Sequence, residues 1–350
     1  MNSLQKKAKA FLKDLIRTPS LSREEGASAS VIESYLSLEG IAFVRQGNNV
    51  WARNKQFDPR LPSVLLNSHH DTVKPNSSYT IDPFVPLEKE GKLFGLGSND
   101  AGASLVGLWA AFVHYYAHPL NYNLIYAASA EEEISGENGI ASILSALGPI
   151  DFAIVGEPTE MNLAVAEKGL LVLDCRAHGT ASHAAHPNDN NSIYKALDDI
   201  QKVRNFIFDK KSEWLGSVKS SVTIVSGGSA HNVVPDYTDF TIDVRTNECY
   251  SNEEIVKTFE SLLDSEVKPR SLRLNSSKID LTHPIVKAAQ REGALLYGSP
   301  TVSDQALMPF DSVKLGIGKS TRSHTADEFI YESELSDGIE NYIKLLSHIL

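Results

Sequence analysis

The sequence predicts an α/β protein, with a larger domain built on a mixed, mostly parallel sheet and a smaller α/β sandwich inserted into it. Three observations carry that expectation. Apolar runs of strand length, such as 63–68 and 123–129, alternate with stretches whose apolar residues recur at helical spacing. These runs are continuous, the pattern of strands covered on both faces. The order changes after Glu167-Lys168-Gly169 to strand-helix-strand-strand-helix, and the first pattern returns near His283-Pro284. A chain of 350 residues is also long for one hydrophobic core. The expected division is 1–167 plus 282–350 for the larger domain and 168–281 for the insertion.

The elements follow in order. Leu4, Ala8, Phe11, Leu12, Leu15 and Ile16 recur at helical spacing, so 3–17 reads as an amphipathic helix that Thr18-Pro19 ends. A second helix covers 24–38. Short strands are expected at Phe43-Val44 and 49–52, and a central strand at 63–68 that ends at His69. A glycine-rich turn, 95–102, leads into a long helix that stops near His118-Pro119. The strand 123–129 runs into three consecutive glutamates. A helix over 138–147 and a strand over 152–155 bring the chain to Glu157. In the insertion, strands are expected at 170–177, 218–225, 239–245 and near 271–274, with helices over 190–208 and 252–264. The last part reads as a helix at 285–293, short strands at 295–297 and 313–317, and a closing helix over 331–349.

Charge and composition exclude several functions. Hydrophobic content of 42% and charged content of 22% fit a soluble globular chain. The net charge of −11 argues against a nucleic-acid partner, which needs a basic footprint. No run reaches transmembrane length, and no apolar leader opens the chain, so no membrane is expected. Cys175 and Cys249 lack metal-binding spacing and sit in strand-like runs. They read as free thiols of a cytoplasmic protein.

Chemistry concentrates at the ends of strands. Glu131-Glu132-Glu133 follows an apolar strand, and adjacent carboxylates repel unless something positive compensates. Four other segments end in ligand-type residues: His69-His70-Asp71, Asn99-Asp100, Glu157-Pro158 and Ser323-His324-Thr325. Together they supply enough oxygen and nitrogen donors for two divalent ions. Read singly, each has a plainer meaning. Asp100 is equally a helix cap, Glu157 a loop carboxylate, and His324 a surface histidine. If the strand continues, His69 and Asp71 share a direction and His70 faces away. Neighbouring Glu132 and Glu133 would diverge on an extended backbone, one ligating and one facing substrate.

The segments LLNSHHDTVKP (65–75), GLGSNDAGAS (95–104), AASAEEEISGENG (127–139), IVGEPTE (154–160), GTASHAAHP (179–187), GGSAHNVVPD (227–236), DVR (243–245) and SHTADEF (323–329) occur in one order along nearly the whole chain. In this the chain resembles the M20 metallopeptidase and aminoacylase family. More narrowly it resembles the branch of acetylornithine deacetylase and succinyl-diaminopimelate desuccinylase.

The resemblance implies a zinc-hydrolase catalytic domain with an inserted lid or dimerisation domain. It implies His69 and Glu157 on one zinc, Glu133 and His324 on the other, and Asp100 bridging, with cobalt or manganese as substitutes. Glu132 would be the general base and Asp71 the hydrogen-bond partner of His69. The family often has Asp where Glu131 stands, which leaves Glu131-Glu132 open as an alternative base–ligand pair. A cis peptide after the bridging carboxylate would be Asp100–Ala101. In the insertion, His183 would help hold the transition state across a homodimer interface, and Asn232 would bind substrate. Arg245 would pair with a substrate carboxylate or, alternatively, with Asp243. The implied activity is hydrolysis of a small N-acylated L-amino acid, first N-acetyl-L-ornithine. N-acetylcitrulline, N-acetyllysine, N-succinyl amino acids and di- or tripeptides remain as alternatives. A non-catalytic binding module is the alternative of another class.

Overall fold

The computed structural model describes residues 1–350. The chain divides into two compact units. One comprises Met1–Val165, Lys278–Tyr297 and Ser303–Leu350, and the other Ala166–Ser277 with Gly298–Val302. The short stretch Gly298–Val302 therefore groups with the second unit, although the sequence pattern placed it with the larger one.

In the first unit the sheet centres on four parallel strands in the order Asn123–Ser129, Ser63–His69, Phe152–Val155, Asp311–Lys314. Antiparallel strands flank them, with Asn49–Arg53 and then Phe43–Gln46 on one side and Leu163–Glu167 on the other. The central runs are buried at every residue, as continuous apolar strands require. Helices cover both faces. Leu65, Ile125, Ala127 and Val155 pack with Ile140 and Ile143 of helix Ile140–Leu147. The helix Ala103–Tyr115 is buried nearly all round and packs against the sheet and against helices Ser3–Ile16 and Glu332–Ser347. Phe11 stacks on Tyr35 at 4.2 Å and meets Trp109 edge-on at 5.4 Å. Asn2 and Gln5 close a reciprocal cap on the first helix.

The second unit is a four-stranded antiparallel sheet in the order Lys219–Gly227, Tyr237–Arg245, Leu170–His178, Glu266–Pro269. Leu171, Leu173, Cys175 and Ala177 alternate onto one face, where they meet Ala196 and Val203 of helix Ser192–Asn205 and Ile255 and Phe259 of helix Asn252–Leu262. The other face carries ion pairs, among them Arg176–Asp239 and Arg270–Asp174. Two expectations change here. The last strand is Glu266–Pro269, not 271–274: the main-chain N–H of Arg270 still donates to the Val172 carbonyl at 2.9 Å, but beyond it the carbonyls of Leu272 and Leu274 accept from Asn252 Nδ2 at 3.2 and 3.1 Å. Cys249 lies outside any strand and only Cys175 is in one, though both are free. No helix is long and apolar enough to cross a membrane.

Candidate metal centre

Because the four central strands are parallel and adjacent, their carboxyl ends open on one edge of the sheet, where ligand crevices form. Ser63–His69 ends in His69 itself. Asn123–Ser129 passes through Ala130 into the glutamates, Phe152–Val155 reaches Glu157 through Gly156, and Asp311–Lys314 leads toward His324. Glu157 lies so close to Gly316 that a side chain there would strike its backbone, with 2.3 Å left to Glu157 O.

The structure brings His69, Asp100, Glu132, Glu133, Glu157 and His324 together. Donor atoms of His69, Glu132 and Glu157 lie within 4.8 Å of one another, and so do those of His69, Asp100 and Glu133. His69 Nε2 is 3.3 Å from Asp100 Oδ1 and 3.7 Å from Glu157 Oε1. His324 Nε2 is 3.0 Å from Glu133 Oε2 and 3.7 Å from Asp100 Oδ2. Asp100 thus stands between one pair of donors and the other. Its alternative role as a helix cap is not seen. The helix begins at Ala103 with no side-chain cap, and the Asp100–Ala101 peptide is cis.

The backbone at the glutamates is not extended. Glu131 takes φ 55°, and Glu132–Ile134 forms a single tight helical turn. The divergence of Glu132 and Glu133 therefore comes from a turn rather than from strand alternation. Glu131 points elsewhere, accepting from Asn138 Nδ2 at 2.9 Å and closing the following loop. His69 Nδ1 lies 3.0 Å from the main-chain oxygen of Asp71 and 3.4 Å from its carboxylate. The ring nitrogen thus has both the carbonyl and the carboxylate of Asp71 within reach, and the carboxylate also accepts from Ser22 Oγ and from the N–H groups of Glu132 and Glu133. His70 faces away, bonded to Ser28 Oγ and the Asn48 carbonyl, and burial pushes its pKa down to about 4.

Two carboxylates at this site carry no signal in periodicity or spacing. Glu328, 2% exposed, accepts the N–H groups of Gly97, Asn99 and Asp100 at 2.8–3.1 Å and so holds the turn that presents Asp100. It does lie inside the quoted segment 323–329. Asp304, 3% exposed, accepts from Asn67 and Ser129 below the donors.

Electrostatically the protein alone is under tension. Burial pushes Glu132 well above the usual carboxylate range, with Glu157, Asp304 and Glu133 adding to it against His69. Burial likewise pushes Glu157 up to about 8. Burial works to lower the His69 pKa, but Glu132, Asp100, Asp71 and Glu157 outweigh it and hold the ring well above its usual value. The bond to Glu133 raises His324 to about 9. One oxygen, Glu157 Oε1, is buried with no hydrogen-bond partner. Mixed imidazole and carboxylate donors at this spacing, with an orphaned buried oxygen among them, fit two divalent cations.

Residues 65–348 match the profile of peptidase family M20/M25/M40. The chain belongs to this family. It is a metal-dependent hydrolase. Among similar proteins, a succinyl-diaminopimelate desuccinylase of Wolbachia pipientis is 23% identical over 96% of this chain and 93% of its own length. A peptidase M20 domain-containing protein of Schizosaccharomyces pombe is 26% identical over 97% and 84%. The fold matches a Bacillus cereus aminopeptidase, PepT, with a TM-score of 0.78 at 17% identity, covering 98% of both chains. It also matches a dinuclear metal binding M20 peptidase of Bacillus subtilis with a TM-score of 0.74 at 18% identity, covering 99% and 98%.

The remaining expected residues lie in the second unit. His183 pairs with Val233 between short strands, and Ala184 N donates to the Asn232 carbonyl at 3.0 Å, so His183 and Asn232 are neighbours. Arg245 turns Nε and a terminal nitrogen onto Asp243 at 2.9 and 3.1 Å, the second of its two expected roles.

Proposed function

We propose that the protein is a dinuclear zinc amidohydrolase that removes the N-acyl group from a small N-acyl-L-amino acid, first N-acetyl-L-ornithine. The observation that carries the reading is the cluster of His69, Asp100, Glu133, Glu157 and His324, buried at His69 and Glu157 and open to solvent at His324, with the Glu132 carboxylate inside it. His69 and Glu157 would hold one zinc, Glu133 and His324 the other, with Asp100 between them; cobalt or manganese would substitute. When bound, the metals polarise the acyl carbonyl and lower the pKa of water to about 7.

The chain's own groups do the rest. Glu132 takes a proton from the attacking water and passes it to the departing nitrogen, so that a neutral amine leaves; the water's second proton, released as the new carboxyl group ionises, converts that amine to an ammonium. Its carboxylate is buried, which raises its affinity for that proton. Asp71 holds the peptide groups of residues 132 and 133 in place. His183 and Asn232 of the inserted unit contribute to binding the acyl group in the transition state, and the insertion mediates a homodimer. The two free cysteines accord with a cytoplasmic setting.

A second reading, an N-succinyl diamino acid as substrate, is favoured by several relatives that carry the name succinyl-diaminopimelate desuccinylase. A panel assay of zinc-loaded protein on N-acetyl, N-succinyl and dipeptide substrates, with Glu132→Gln as the control, decides between them. Turnover of none of these would overturn the amidohydrolase proposal.

A further inference from the structure

Beneath the donor cluster lies a carboxylate that the proposed chemistry does not use. Asp304 opens the short turn Asp304–Leu307, far along the chain from the donors on the two strands it touches. Its Oδ2 accepts from Asn67 Nδ2 at 2.8 Å and from Ser129 Oγ at 2.5 Å. Asn67 lies two residues before His69 on the same strand and so shares its face of the sheet. Ser129 is the register partner of His69 on the neighbouring strand, two residues before Glu131. One oxygen therefore ties together two strand ends directly below the imidazole and below the turn that carries Glu132 and Glu133.

The tie alone does not explain a carboxylate. An asparagine at 304 could accept the same two hydrogen bonds through its amide oxygen, without a buried charge. Both donors on Oδ2 are neutral, and burial pushes the Asp304 pKa up to about 6, with Asp71 adding to it against Ser129, Asn67 and His69. A charge held in such a place is costly unless cations lie near. The negative charge of Asp304 is a burden on the protein alone and an advantage once positive ions sit among the donors.

We propose that Asp304 is a positioning residue that strengthens cation binding through its charge, without ligating, while cross-tying the strands that end at His69 and Ser129. This rests on the reading that the donors above it hold divalent cations. Groups that support a metal's ligands typically change affinity by about 10–100-fold when altered. Asp304 touches no ligand and acts through its charge and through the strands that carry His69 and Ser129.

The test compares wild type, Asp304→Asn and Ser129→Ala as full chains. Zinc and cobalt affinities are measured by competition with a chromophoric chelator, the cobalt absorption spectrum is recorded, and metal-free melting is followed. Asp304→Asn is expected to bind both ions about 10–100-fold more weakly. Its metal-free melting temperature should be unchanged or higher, because a buried carboxylate is replaced by a neutral amide. Ser129→Ala is expected to melt lower and keep near-normal affinity. Unchanged affinity in Asp304→Asn with a lower melting temperature would mean a structural tie only, and would overturn the proposal while leaving the metal centre standing. An Asp304→Asn chain that does not fold would overturn it too, since the fold would then need the carboxylate itself. A wild type that binds neither ion would remove the metal reading and this inference together.

Discussion

Asp71 accepts the main-chain N–H of Glu132 on Oδ1 at 3.1 Å and that of Glu133 on Oδ2 at 3.2 Å. One carboxylate thereby holds consecutive peptide groups of the turn that presents both glutamates, while its own carbonyl meets His69 Nδ1 at 3.0 Å. Two motifs separated by some sixty residues become one rigid piece. This carboxylate therefore supports the backbone of the turn as well as the basicity of the imidazole.

An Asp71→Asn substitution tests that relationship. The amide keeps one acceptor oxygen and sets its NH2 against the other N–H, so one bond to a charged acceptor is lost, worth about 1.5–3 kcal/mol. The expected outcome is a kcat loss of about 10–100-fold with KM little changed and the fold intact by circular dichroism. Full activity would mean that the turn needs no such support.

The metal-free protein should lose stability as pH rises. Glu157 and Glu328 have folded pKa values pushed up to about 8 by burial, from 4.5 unfolded. Each is protonated in the folded chain where the unfolded chain is already ionised, so each costs stability progressively from about pH 4.5 to 8. His324 is raised to about 9 from 6.5 by Glu133. Its contribution is full below pH 6.5 and gone above 9. All three shifts point the same way across about pH 5–9. Divalent ions displace these protons from the ligands, so zinc-loaded protein should show a flatter profile. Urea midpoints with chelator and with zinc check this. Metal-free protein that gains stability over that window would contradict it.

Much of the centre was readable because parallel strands impose a rule: consecutive apolar runs that end in His, Glu or Asp open on the same edge. That rule places His69, Glu157 and the Glu131–Glu133 run on one edge, whereas the separate roles expected of them, and of Asp100 and His324, came from the resemblance to the family's motifs. The turn at the glutamates did not follow from it. An extended backbone was the natural assumption, and only the positive φ at Glu131 shows how that residue turns away to Asn138. Asp304 was unreadable for a different reason. It is an ordinary acid in a polar loop, and its meaning comes from two strands that lie far away in sequence. The insertion's last strand, Glu266–Pro269, differs from the expected 271–274 for a similar reason: the carbonyls of Leu272 and Leu274 are taken up by Asn252, on a helix about twenty residues back, which no local pattern encodes.

The inserted unit ends its sheet on an edge strand, Lys219–Gly227, with Ile224 and Val225 more than half exposed, and its helix Ser192–Asn205 exposes Tyr194 and Leu197. Long apolar edges are normally blunted or covered. A second copy of this chain is the expected cover, so sedimentation should give a dimer, and Val225→Lys with Ile224→Lys should give a monomer. His183→Ala should lower kcat while leaving metal content intact. A wild-type monomer together with a fully active His183→Ala variant would rule out the dimeric site.

The last prediction separates chemistry from ligation at neighbouring glutamates. Glu132 and Glu133 share a turn, yet His324 Nε2 lies 3.0 Å from Glu133, whereas Glu132 groups with His69 and Glu157. Glu132→Gln keeps the side-chain shape but cannot take a proton. It should keep both zinc ions and much of its substrate affinity, and lose turnover by about 10²–10⁴. Glu133→Ala removes a donor instead, so it should lose one zinc as well as turnover. Metal titration read beside kcat on the substrate found in the panel distinguishes the two. If Glu132→Gln lost a zinc while Glu133→Gln kept both, the roles would be exchanged. If Glu132→Gln stayed fully active with both ions bound, the base would have to be another group. Glu131 is a poor substitute for it, because its carboxylate is already engaged by Asn138.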